Sequence, residues 1–193
     1  MHEHSLMVLA AAPTVAVVRG IGADQLGAST PCSDYAVQRL ISHLLLWGPS
    51  LEGAARKKLV APPADSDQDV DLTDGDWRGK LEAQTNNLVT AWSEPDAWEG
   101  TTRMGGPMEL PAPMIGGMVL GELVVHGWDL ARATGQQPTW DDEVLTLLYQ
   151  EVAKTAEQGR DMGVYGERVE VPDTASVLDR ILGLTGRNPN WTP

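Results

Sequence analysis

The stretch from Ala112 to Ala133 constrains the fold most. It has helical period, ends before Gly135, and places Ile115, Met118, Val119, Glu122 and His126 on one face. That face is apolar apart from Glu122 and His126. Such a helix must be covered by other helices, and a carboxylate set into it costs several kcal/mol unless it is paired or binds a cation. The rest of the chain supplies those helices, because helical period dominates and β-alternation is scarce. The pattern predicts helices over Ser5–Gly20 (with Pro13 inside), from Ser33 or Asp34 as N-cap toward Lys58, over Trp77–Trp92, over Asp141–Gln158 and over Ala175–Leu184, the last closed by Gly186. A short hairpin is expected around Gly105-Gly106-Pro107. The implied architecture is all-α: a four-helix bundle with extra short helices and long connections. With no repeat and no clean linker, the 193 residues read as a single domain.

Chemistry enters through Glu122 and His126. At i and i+4 they project toward one point, where a carboxylate oxygen and an imidazole nitrogen can share a divalent ion. His43 is the natural third ligand. It interrupts the apolar stripe Ala36, Leu40, Trp47, which is flanked by Val37, Ile41 and Leu44. His2 and His4 stand at the chain start, are expected to be mobile, and are set aside. A His/Glu/His set leaves a coordination position open, as catalytic sites do. It suits Zn2+, and Ni2+, Fe2+ or Mn2+ also fit. The alternative is structural: Glu122 and His126 pair with each other and His43 packs elsewhere.

Other residues carry two readings each. Cys32, the one cysteine, stands ahead of a helix N-terminus, where a thiol can be reactive; packing at the start of the helix is the favoured reading. Asp129 either orients His126 or pairs with Arg132. Trp47 and Trp128 either line a pocket or, the favoured reading, pack the core. The Pro- and Asp-rich stretch from Ala61 to Asp76 is an exposed loop, a lid or, as favoured, an acidic solubilising segment.

Composition excludes some partners. The formal net charge is −13, with 27 acidic against 14 basic residues. Nucleic acid and anionic membrane surfaces both demand basic patches, so neither is expected. No apolar run reaches the ~18 residues of a membrane span. Met1-His-Glu-His lacks the basic start of a signal peptide, and a lone cysteine suits a reducing compartment, so a cytoplasmic location is expected. Asn190-Trp-Thr, formally a glycosylation sequon, would carry no meaning there.

Three segments resemble a known family. Thr30-Pro-Cys-Ser-Asp-Tyr-Ala-Val-Gln-Arg-Leu-Ile-Ser-His43 is similar to the TPC-x-x-W-x-V-x-x-L-x-x-H segment of actinobacterial proteins related to mycothiol-dependent maleylpyruvate isomerase, within the DinB/YfiT-like metal-binding bundles. Glu122-Leu-Val-Val-His126-Gly-Trp-Asp-Leu-Ala-Arg-Ala-Thr-Gly135 resembles the second family signature, and Leu178–Arg187 the C-terminal one. The resemblance implies a DinB-like bundle with a divalent metal, usually taken as zinc, on His43, Glu122 and His126, and an association with mycothiol. It implies a metal- and thiol-dependent transferase or isomerase acting on a small electrophile. The alternatives are a hydrolase using metal-bound water and a non-catalytic metal-containing binding protein. A homodimer stays open, and no catalytic side chain is assigned. Tyr35 replaces the usual Trp. The isomerase also has an additional C-terminal domain that helps to form its active site, whereas this chain ends soon after the bundle, so the specific isomerisation is not carried over.

Overall fold

A computed structural model describes residues 3–64, 66–67 and 70–193, the side chains of residues 3 and 4 excepted. The expectation for His2 and for the His4 side chain therefore lies outside the described residues. The helices are α1 (Glu3–Gly20), α2 (Val37–Ala55), α3 (Trp77–Trp92), α4 (Ala112–Gly121), α5 (Gly127–Ala133), α6 (Asp142–Asp161) and α7 (Val177–Leu184). A π-helical turn over Glu122–His126 joins α4 to α5, so the two form one long helix. Between α3 and α4 lies an antiparallel hairpin of β1 (Thr101–Arg103) and β2 (Glu109–Pro111), with Thr102 opposite Leu110. The long α4–α5 helix closes a bundle with α1, α2 and α3. Helix α6 packs against α4 and α1, and α7 against α6. No helix among the described residues is long and apolar enough to cross a membrane.

The chain contains no Phe and seven Trp, and the core shows how it manages. Trp77, Trp92, Trp98, Trp128 and Trp140 are all buried. Three of their indoles donate to backbone carbonyls: Trp92 to Leu51 at 3.0 Å, Trp98 to Trp92 at 2.8 Å, and Trp140 to Ala10 at 3.0 Å. Each ring thus fills core volume and also ties two elements together. Trp128 packs as expected. Trp47 packs against the core from a half-buried position and also lines a cavity, so both of its readings hold.

Two local expectations need correction. Helix α2 starts at Val37, not just after Ser33 or Asp34, and Ala36 caps it without a side-chain bond. The first amides find backbone acceptors instead: Val37 N–H donates to Ala28 O and Gln38 N–H to Leu26 O. Residues 30–35 form a tight turn in which the Thr30 hydroxyl accepts from Cys32 N–H and donates to the Tyr35 carbonyl. This turn swings Cys32 and Tyr35 toward the middle of the bundle.

The second correction concerns the helix carrying Glu122 and His126, which is not α-helical throughout. A π turn widens the backbone spiral and disturbs the carbonyl ladder, and such turns cluster at functional sites. Here the hydroxyl of Thr14 on α1 donates to the Leu123 carbonyl inside that turn. Gly127 permits the close approach, since a Cβ there would collide with the Thr14 side chain. Thr14→Val keeps the volume and removes the donor, leaving a buried carbonyl unsatisfied. It is expected to cost roughly 1–3 kcal/mol in denaturant titrations.

Candidate metal centre and cavity

Each expected ligand arrives from a different structural cause. His43 sits in the second turn of α2, on the stripe that runs from Ala36 through Leu40 to Trp47. Glu122 opens the π turn and His126 ends it. Their side chains converge. Nε2 of His43 lies 3.4 Å from Glu122 Oε2, and Nε2 of His126 lies 3.7 Å from the same oxygen. One ligand atom from each of the three falls within 4.8 Å of the others. The two imidazole rings stand nearly perpendicular, 5.3 Å apart.

A carboxylate holds the far nitrogen of each imidazole. His43 Nδ1 is 2.7 Å from Asp67 Oδ2, which also accepts from the Tyr35 hydroxyl at 2.7 Å. His126 Nδ1 is 3.0 Å from Asp129 Oδ2. When both rings are neutral and donate Nδ1–H outward, as metal binding requires, the two Nε2 lone pairs point at the shared position. This carboxylate–histidine arrangement fixes the tautomer that a metal requires. The donor set therefore fits a divalent ion.

Asp129 resolves its two readings toward His126. Its cation partner is Arg187, at 3.2 Å, while Arg132 reaches the Trp191 carbonyl instead. Arg187 also donates to Cys32 Sγ at 3.3 Å. Cys32 is half-buried on the cavity wall, where Cys32, His126 and Asp129 form a second close group of possible ligands. Burial pushes its thiol up to about 11 against the pull of Arg187, so it is protonated and poorly nucleophilic near neutrality.

The loop read as an acidic solubilising segment does more than that. Its Asp67 reaches the centre, and its Leu72 amide is anchored by the Ser42 hydroxyl at 3.0 Å. Tyr165, Arg187 and Asp67 were not singled out as site residues from the sequence. Tyr165 and Arg187 come from the segment after α6 and from the end of α7, so the C-terminal residues complete the site. Together these groups wall a cavity of about 420 Å³ that contains His43, Glu122 and His126 in its lining.

Charges in the centre depend on one another. Burial favours the neutral form of Glu122, but the neighbouring His126 and His43 overcome it and hold the carboxyl down at about 2. Burial likewise opposes charge on His43, yet Glu122 and Asp67 hold the imidazole up at about 9. Asp67 is lowered despite its burial by hydrogen bonds from His43 and Tyr35. For the metal-free protein, Glu122 contributes fully above its ordinary 4.5, and the contribution is lost as pH falls toward about 2. His43 contributes fully below its ordinary 6.5, and the contribution is lost as pH rises through about 9. Thermal melts of chelated protein should therefore show a plateau between 4.5 and 6.5 and an alkaline decline toward 9. In His43→Ala the alkaline decline should flatten. A metal must displace the His43 proton, so its affinity should rise over the same alkaline range.

Fold and site together define a helical bundle with a His/Glu/His centre open to a cavity. The chain belongs to the family of the mycothiol maleylpyruvate isomerase N-terminal domain, whose model matches residues 9–131. Two uncharacterized proteins of Mycobacterium tuberculosis, from two strains, are each 29% identical to it over 133 residues. That match covers 67% of this chain and 65% of theirs, so the chain spans just under two thirds of the length of these relatives. The crystal structure of the mycothiol-dependent maleylpyruvate isomerase superposes with a TM-score of 0.68 at 15% identity, covering 97% of this chain and 89% of that one. A histidine-to-alanine variant of the isomerase gives 0.60 at 18% identity, covering 81% and 71%. These likenesses show the shared fold.

Proposed function

We propose that this protein is a thiol-dependent transferase or isomerase acting on a small electrophile, with mycothiol as the thiol and a divalent ion, zinc as the best fit, on His43, Glu122 and His126. The reading treats residues 1–193 as one working domain. It also places the protein in the cytoplasm, where a single protonated cysteine persists. The observation that carries the proposal is the convergence of two outward-anchored imidazoles and Glu122 on the wall of a cavity of about 420 Å³.

A divalent ion held there supplies Lewis acidity, which favours a coordinated thiol as its thiolate. The chain's own part is positioning. Asp67 and Tyr35 fix the His43 ring, Asp129 fixes His126, and Arg187 keeps the Asp129 carboxylate paired in its buried setting. Cys32, protonated near neutrality in the metal-free protein, lies on the cavity wall beside Arg187 and is not the nucleophile of this reading. The nucleophile is the sulfur of the small thiol. Reversible addition of that sulfur to an activated alkene frees the former double bond to rotate. Loss of the same sulfur then regenerates the thiol.

Cobalt-loaded protein tests this reading. Titration with mycothiol is expected to produce a sulfur-to-cobalt charge-transfer band that persists in Cys32→Ser. No band at saturating thiol would overturn the proposal. A band present without added thiol and lost in Cys32→Ser would make Cys32 a ligand and the centre a closed one.

A further inference from the structure

The cavity has two unlike ends. Along α2, Trp47 and Leu51 follow His43 at four-residue steps, and on α4 Met118 precedes Glu122 by four. The C-terminal end of α2 meets the hairpin that leads into α4, since Thr102 donates to the Ala54 carbonyl. The two helices thus run in opposite directions, and Trp47, Leu51 and Met118 all lead away from the donors the same way. Met104, from the β1–β2 turn, joins them. This end is apolar. The charges lie at the other end and around the donors.

Among the described lining residues Arg187 is the only Lys or Arg, and it is already engaged by Asp129 at 3.2 Å and by the Thr185 carbonyl at 2.7 Å. Sharing the lining with it are Asp34, Asp67 and Glu122. Arg39 acts on Asp67 from outside the lining. With a divalent ion at the donors, the lining carboxylates Asp34, Asp67 and Glu122 only balance that ion and Arg187, so the cavity carries no surplus positive charge. An incoming dianion would give up its hydration and meet, in the described lining, no Lys or Arg that is not already engaged.

We infer that the electrophile of this cavity is uncharged and largely apolar, its body lying against Trp47, Leu51, Met104 and Met118, and that dicarboxylates are rejected. This rests on the proposed thiol chemistry, but its first test needs neither thiol nor turnover. Calorimetry on zinc-loaded protein compares two unreactive ligands with one carbon skeleton, dimethyl succinate and succinate. The diester is expected to bind at least about tenfold more tightly at moderate salt. Met118→Lys at the apolar end and Val164→Lys at the exposed rim should each narrow that ratio. Val164, half exposed, guards against a misfolded Met118 variant. In the second test, with mycothiol present, isomerisation of dimethyl maleate should be accelerated over its uncatalysed rate about tenfold more than that of maleate. Succinate binding as tightly as the diester, binding of neither ligand, or equal acceleration of the two alkenes would overturn the inference. A cobalt–thiol band together with a succinate preference would overturn this inference alone. A diester preference with no band would support it and overturn the thiol reading instead.

Discussion

Replacing His43, Glu122 or His126 by alanine is expected to take bound metal from one equivalent to a level at or near background after gel filtration. In the proposed centre each substitution removes one of three protein donors. Outer-shell partners of a metal ligand are worth about 10–100-fold in affinity, so a lost ligand should cost more than that. The structure grades the series. Asp67→Ala frees His43 Nδ1 and should weaken binding by about 10–100-fold without abolishing it. Cys32→Ser should leave the metal content unchanged. Metal analysis of the purified proteins, with competition against a chromophoric chelator for the weaker ones, provides the scale. Equal metal content in wild type and His126→Ala would remove the assignment. An Asp67→Ala protein indistinguishable from wild type would show that the loop merely lies beside the centre.

Physical reasons separate what the sequence exposed from what it hid. Period and capping are local, so they were readable: Trp77–Trp92 is helical over the expected span, and Asp141 caps α6 by accepting from Glu143 N–H at 2.9 Å. The hairpin around Gly105-Gly106-Pro107 also forms where turn chemistry placed it. His43, Glu122 and His126 were legible because each is a polar break in an apolar stripe. The π turn was not, since residues at i and i+4 share a face in either spiral and the period carries no mark of the extra width.

Asp67 was hidden for another reason. It sits among several aspartates in a loop without period, and only the tertiary fold sets it 2.7 Å from His43. The start of α2 went astray because Ser33 and Asp34 look like caps, while the actual acceptors are the carbonyls of Leu26 and Ala28. A backbone acceptor leaves no trace in residue type. Arg187 lies in between. It falls in a segment that resembles the family's C-terminal signature, and Gly186 before it takes φ +82, which glycine tolerates without strain. Its partner Asp129, however, is distant in sequence, and no periodicity links them.

That distant pair gives the largest expected loss of stability. The Asp129 carboxylate is completely buried, and Arg187 is only 6% exposed. One oxygen of Asp129 serves both His126 and Arg187, while the other has no hydrogen-bond partner. Arg187 therefore supplies most of the compensation for a charge taken out of water. Burial opposes charge on the guanidinium, and Asp129 holds its pKa above the usual value all the same. Arg187→Ala strands the carboxylate and is expected to destabilise the metal-free protein by about 3–5 kcal/mol, the usual cost of breaking a buried pair from one side. For a chain of this length that is a fall in Tm of roughly 6–20 °C. Removing both charges together, in Asp129→Asn with Arg187→Met, should cost less than Arg187→Ala alone, because no unpaired ion is left in the interior. Denaturant titration of chelated protein separates this effect from any change in metal binding. If Arg187→Ala melts like wild type, Arg187 is not what compensates the buried Asp129 carboxylate, and the hydrogen bond to His126 must do so without it.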